Sequence, residues 1–172
     1  RAGGGAEHAD GRPALRTVQH VLEGAVRSVV RAPVEIAGAS RTDSGVHALS
    51  QTAAFSCEEE TPRPPDERLA MAINARLPED AVVRACRRTR EDFDPIGDCV
   101  SKGYRYLLDD GPERPLWRRR TTHHLHRAVD VEAMSEAAGL LVGEHDFAAF
   151  TNAGHGRAST VRRVLGCSVA RL

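Results

Sequence analysis

The chain has 172 residues, with 24 basic and 24 acidic side chains and no formal net charge, and its 41% apolar and 28% charged residues are those of an ordinary globular protein. That length suits one domain with room for a sizeable core. Collagen-like, mucin-like and wholly disordered classes are excluded, as is a membrane-spanning helix, because no run of about 18 apolar residues occurs.

In chain order, residues 1–16 contain Gly3, Gly4, Gly5 and Gly11 and read as a flexible lead-in. Val18, Leu22, Ala25, Val26, Val29 and Val30 recur at helical spacing. They predict an amphipathic helix capped by Thr17 and stopped by Pro33. Residues 34–39 and 48–57 read as strands on either side of a polar loop, 40–47, with the sequence SRTDSGVH. An exposed connection follows, with Glu58, Glu59, Glu60 and three prolines. Asp66 is expected to cap a second helix carrying Leu69, Ala70, Ile73 and Leu77, with Pro78 ending it. Strands are expected at 82–88, 104–108, 123–129 and 161–172. A third helix is expected to begin at Asp130 and close on Gly143. Residues 152–157 read as a glycine-containing loop. Helices and strands mix without strict βαβ repetition, so the expected class is α+β, a mostly antiparallel sheet flanked by helices.

The basic residues are unusual in kind. Lys102 is the one lysine, which leaves 24 − 1 = 23 arginines. A guanidinium fork matches phosphate and stacks on bases; a GC-rich coding sequence enriches arginine equally well. The neutral total is also a cancellation. Up to residue 100 there are 13 basic and 16 acidic residues, net −3, and beyond it 11 and 8, net +3. Cys57, Cys86, Cys99 and Cys167 form no C-x-x-C pair, so metal-ligand spacing is absent and reduced thiols in an intracellular compartment are expected. Because the first residue is Arg1 and not Met, the natural N-terminus is expected to lie upstream.

Loop 40–47 carries the strongest chemical signal. Arg41 and Asp43 are two residues apart in a polar loop between strands, a favoured setting for reactive groups. An ionised carboxylate can act as nucleophile or base, Arg41 can pair with it or meet phosphate, and Gly45 permits a tight turn. On spacing alone, a plain turn with Asp43 bonding nearby N–H groups explains the same residues, and such turns are common. Tyr104 and Tyr106 fall on one face of the predicted strand. One of them can stack on a base, or one ring can be core and the other half-exposed. Arg118, Arg119 and Arg120, and Arg162 and Arg163, read as solvated charge or as phosphate contacts. His123, His124 and His126 lack the partners that a metal site needs. His145 and Asp146 read as a cap and packing element beside Phe147 and Phe150.

SRTDSGVHALSQTAAF resembles the signature segment of the TruA family of tRNA pseudouridine synthases, close to G-R-T-D-A-G-V-H. Further segments follow in the family's order: TVQHVLEGAV, AINARLP, DFDP with SKGYRYLL, GLLVGEHDFAAF and TVRRV. The similarity runs from about residue 17 to 172. It implies a pseudouridine synthase catalytic domain over 17–172, expected to be incomplete at both ends. The finer texture is most similar to the animal pseudouridine synthase-like branch, often assigned to mitochondria, so the resemblance implies a mitochondrial or cytoplasmic setting. It further implies isomerisation of uridine in tRNA without metal or organic cofactor, with no membrane and with a homodimer as a common assembly. Asp43 would be the essential aspartate, Arg41 would pair with it and help hold the flipped nucleotide, and Tyr104 would stack on the target base. Three departures stand out. The family's opening Y-x-G-x-x-[YF]-x-G-x-Q strand is missing before Thr17. The C-terminal segment that completes the cleft is also missing. Pro95 and Ile96 replace the alanine and arginine of F-x-A-R. The alternatives are a catalytically silent RNA-binding relative of the same fold and a metal-dependent hydrolase using Asp43 and the histidines.

Overall fold

A computed structural model of the chain describes residues 16–151 and 158–172. The expected loop at 152–157, and the expected lead-in except Arg16, lie outside the described residues. The chain divides into two compact units, one ending at Tyr104 and the other beginning at Arg105.

The first unit is built on helix α1, Val18–Val30. Thr17 caps it as expected, its hydroxyl accepting the His20 N–H at 3.1 Å. Arg31 ends it in the left-handed region, φ 54°, its N–H returning to the Arg27 carbonyl at 2.8 Å. The apolar stripe of α1 turns Ala25, Val26 and Val30 inward, where they meet Val34 and Ile36 of the following chain and Leu69 and Ile73 of helix α2, Asp66–Asn74. Strands β1, Ala37–Gly38, and β2, Ala53–Ala54, pair antiparallel, with Ala37 opposite Ala54. The Ala39 N–H extends the pairing to the Thr52 carbonyl at 2.9 Å.

A second stripe of α1 is polar. Gln19 Nε2 donates to the Ile36 carbonyl at 2.9 Å, Glu23 Oε1 accepts the Ile36 N–H at 3.0 Å, and Arg27 Nε donates to the Val34 carbonyl at 2.8 Å. Side chains four residues apart on a helix form one row. This row satisfies the backbone at 34–36 as a neighbouring strand would. The Ile36 N–H, with help from Gln19 and Arg27, holds the Glu23 carboxyl below its ordinary range.

Several sequence expectations fail in this unit: α2 ends at Asn74, before the expected Leu77 and Pro78, and the strands expected at 34–39 and 48–57 pair over two residues each. Asp66 does not cap α2: Pro65 occupies that position, and Asp66 instead meets Arg63 at 3.3 Å and Arg88 at 2.9 Å. Residues 82–88 join no ladder. The Asn74 side chain takes the Val83 backbone from both sides, accepting its N–H at 2.7 Å and donating to its carbonyl at 2.8 Å, so a side-chain amide replaces a strand neighbour. Arg16, the last residue of the expected lead-in, forms a bidentate ion pair with Asp80 at 2.8 and 2.6 Å.

The second unit holds helix α3, Val131–Gly139, whose N-cap Asp130 accepts the Ala133 N–H at 2.9 Å as expected. The helix stops at Gly139, short of Gly143. With φ 117°, Gly143 opens strand β5, Gly143–Asp146, and does not cap the helix. β5 pairs antiparallel with β6, Val161–Val164. Asp146 accepts the Ala148 N–H and the Thr160 hydroxyl, but it is not the expected cap: Phe147 holds that position before the 3₁₀ turn Ala148–Phe150. β3, Leu108–Asp109, and β4, His123–His124, pair in parallel, against the antiparallel expectation, and His126 leaves the strand at φ 58°. Arg171 clasps Asp110 at 2.7 and 2.9 Å and, with the Val129 N–H, pulls its carboxyl down to about 2.

The class is α+β, although among the described residues the strands pair two by two and form no continuous sheet.

Ile73 is 2% exposed inside this core. Ile73→Ala is expected to destabilise the first unit by about 2–5 kcal/mol in urea unfolding followed by circular dichroism. The Glu23 carboxyl has a lower pKa folded than unfolded, so its contribution is present above its unfolded value of about 4.3 and is lost as pH falls below it. Unfolding midpoints between pH 6 and pH 3 should therefore fall less steeply in Glu23→Gln than in the parent chain.

Candidate active site

Strands β1 and β2 end in the long loop that carries Arg41 and Asp43, and the loop's base is tied at several points. Gln51 Nε2 donates to the Ser40 carbonyl across the mouth, and Arg84 Nη1 donates to the Leu49 carbonyl at 3.2 Å. At the tip the Asp43 carbonyl accepts the Val46 N–H at 3.1 Å, closing a four-residue turn with Gly45 in its third position at φ 84°. A type II turn requires positive φ there, which glycine adopts without cost. Asp43 is thus the first residue of a fixed turn. Arg41, Asp43 and the rest of 41–50 are exposed.

A turn is present, but it is made by the Asp43 backbone and not, as the turn explanation expected, by its side chain, which makes no hydrogen bond among the described residues. Among the described residues Arg41 and Asp43 form no ion pair, so the expected pairing is not present in this structure.

The segment bearing Tyr104 is tied to the base of this loop through a residue that sequence reasoning did not single out as functional. Lys102 Nζ donates to the Ala39 carbonyl at 3.0 Å in a part-buried contact across 63 positions of sequence. Ala39 is the last residue of the paired strand before the loop, so this bond ties the segment bearing Tyr104 to the base of the loop bearing Asp43. The available signal was that the one lysine of the chain stands two residues before Tyr104, among 23 arginines (24 − 1). An ammonium on a flexible stem reaches a single carbonyl where a planar fork does not fit. Tyr104 is 78% and Tyr106 84% exposed, so neither ring is core, and the option that one of them is buried is overturned.

A cavity of about 510 Å³ also opens on this unit, lined by Arg27, Val34, Phe55, Phe93 and Pro95 among others; Arg41, Asp43 and Tyr104 are not in its wall. His124 and His126 stack with ring centroids 4.0 Å apart, and His124 Nε2 meets the Gly111 carbonyl at 2.8 Å. Among the described residues no group of three or more His, Cys, Asp or Glu is placed to hold a metal ion. No helix of the described residues is long and apolar enough to cross a membrane.

The family model described as tRNA pseudouridine synthase matches residues 6–95, just over half of the chain. Among curated proteins, tRNA pseudouridine synthase A of Solidesulfovibrio magneticus is 46% identical over 152 residues, 87% of this chain and 54% of the relative. The protein of the same name from Geotalea uraniireducens is 37% identical over 155 residues, covering 90% and 62%. That from Limosilactobacillus fermentum is 39% identical over 163 residues, covering 93% and 62%. The chain thus spans 54% to 62% of the length of these relatives.

Lys102→Met should release the Tyr104 segment without unfolding α1. Amide exchange at Gly38, Ala39 and 101–104 should rise roughly fivefold, the equivalent of about 1 kcal/mol for one hydrogen bond, while exchange in α1 stays unchanged.

Proposed function

The chain belongs to the tRNA pseudouridine synthase family, and from that membership we propose that it isomerises uridine to pseudouridine in tRNA, with Asp43 as the catalytic residue. The observation that carries the reading is the position of Asp43. It sits exposed in a glycine turn, at the matching place of the family's R-T-D-x-G-V-H signature, on a loop whose base is tied to the Tyr104 segment. The isomerisation breaks N1–C1′, turns the base and joins C5 to C1′. The C5 hydrogen leaves as a proton and N1 gains one, so nothing is oxidised and no metal or organic cofactor is called for.

A uridine stacked in a helix is out of reach of any side chain, so the nucleotide must be extruded toward the loop. Asp43 would act at the ribose or the base of the extruded uridine. Arg41, which has no acidic partner among the described residues, would hold its phosphate or, once substrate is bound, pair with Asp43. Tyr104, its ring open to solvent, would stack on the base. The family's catalytic fold, a mostly antiparallel sheet flanked by helices with this loop in its cleft, belongs to the same proposal. So do a homodimer and a mitochondrial or cytoplasmic setting, both resting on the family resemblance alone.

A silent RNA-binding relative is the second reading. Ile96, 65% exposed, stands where many family members carry arginine. The two readings separate on turnover. With tRNA labelled by tritium at uridine C5, the parent chain should release tritium to water and Asp43→Asn should fall to background while its tRNA affinity stays within a few-fold. Binding without release in the parent chain would favour the silent reading.

A further inference from the structure

Trp117 is the one tryptophan of the chain, and 98% of its surface is open to water. That exposure does not come from a loose segment. Leu116–Arg118 is a 3₁₀ turn beginning at Pro115, whose carbonyl accepts the Arg118 N–H at 3.1 Å. The Arg118 carbonyl in turn accepts the N–H groups of Thr121 and Thr122, both at 2.9 Å. The Arg119 guanidinium closes the outer side, donating to the Leu116 carbonyl at 3.0 Å. The backbone hydrogen bonds are made locally, and the indole is left projecting from a closed turn.

The charge around it is one-sided. Between residues 113 and 120 there are four arginines, Arg114, Arg118, Arg119 and Arg120, against Glu113, a net of 4 − 1 = +3. Arg118 touches Asp109 at 3.4 Å through one nitrogen, which leaves most of its five donors unused. An indole flanked in sequence by guanidiniums suits unpaired nucleic acid, because a base of any identity stacks on the ring while neighbouring phosphates take the guanidinium forks. An apolar protein surface would cover the indole but leave the arginines stranded.

Taking RNA as the ligand class from the family reading above, we propose that Trp117, with Arg118 and Arg119, forms an RNA-gripping contact on the second unit. There an unpaired nucleotide stacks on the indole and its neighbouring phosphates lie on the two guanidiniums. The contact recognises single-stranded RNA by stacking and charge without reading sequence, and it uses none of the residues assigned to catalysis.

The lone tryptophan is its own reporter. The full chain is titrated with a tRNA transcript and with a single-stranded RNA of about ten nucleotides. Indole emission is followed beside the anisotropy of the same RNA carrying a dye. Emission should be quenched with the same midpoint as the anisotropy change. Trp117→Ala should weaken binding of the short RNA by roughly 5- to 100-fold, and Trp117→Phe should retain most of the affinity. Changing Arg118 and Arg119 together to Gln should flatten the dependence of log affinity on log salt by roughly 1.4, for two single-strand phosphate contacts. RNA binding that leaves the emission unchanged and is indifferent to Trp117→Ala overturns the contact while leaving the family reading intact. Absence of any RNA binding overturns both. An emission shift that tracks protein concentration without RNA assigns the indole to self-association and overturns the proposal.

Discussion

Gln19, Glu23 and Arg27 stand four residues apart along one side of α1, and between them they take the backbone hydrogen bonds of Val34 and Ile36. A chain segment leaving a helix toward a sheet must find partners for its N–H and carbonyl groups or lose their solvation uncompensated. Here the helix supplies them. The polar row fixes the segment in register, and the adjacent apolar row presses Val26 and Val30 against Val34, Ile36, Leu69 and Ile73. Register matters because a slip of one residue would exchange Val34 and Ile36 for their exposed neighbours.

Everything the candidate site needs follows from that placement. Immediately past the clamp, β1 pairs with β2, and the loop between them is held at both ends. The Gly45 turn then fixes the tip, so that Asp43 is presented to solvent from a short rigid base. Lys102 brings in the Tyr104 segment from the far end of the unit by a single bond to the Ala39 carbonyl. Site geometry of this kind depends on a small core: nine apolar side chains are buried among the described residues, and eight of them are in the first unit. In the second unit Ala138 alone is buried, while Leu116, Trp117, Leu140, Phe150 and Leu165 stay exposed.

What could be read from the sequence was mostly local. Thr17 and Asp130 cap their helices because a cap needs only its own side chain and an N–H three residues on. The α1 period was legible for the same reason, as was the family, because its segments recur in order; the Asp43 loop was legible at its start but runs past the expected end at 47, since β2 begins only at Ala53. Pairing was not legible. Residues 82–88 read as a strand, yet their partner is the Asn74 side chain, which no periodicity foretells. Asp66 has the composition of a cap, but Arg63, three residues before it, and Arg88, far along the chain, draw it away. Gly143 looks like a helix stop, but the helix ends four residues earlier and its positive φ serves the start of a strand. Within the site, Asp43 and Arg41 were visible as a pattern. Their lack of an ion pair and the role of Lys102 depend on contacts spanning up to 63 positions.

On the proposed function, the loop at 40–51 and the Tyr104 segment, tied together by the bond from Lys102 to the Ala39 carbonyl, receive the same extruded uridine. Photocrosslinking tests this most directly. A tRNA transcript with 4-thiouridine in place of uridine is bound to the full chain, irradiated, and the attached peptides are identified by mass spectrometry. The account predicts adducts on both the 40–51 loop and the peptide containing Tyr104, with both lost in the presence of excess unlabelled tRNA. Specific adducts that leave both segments unlabelled would contradict it.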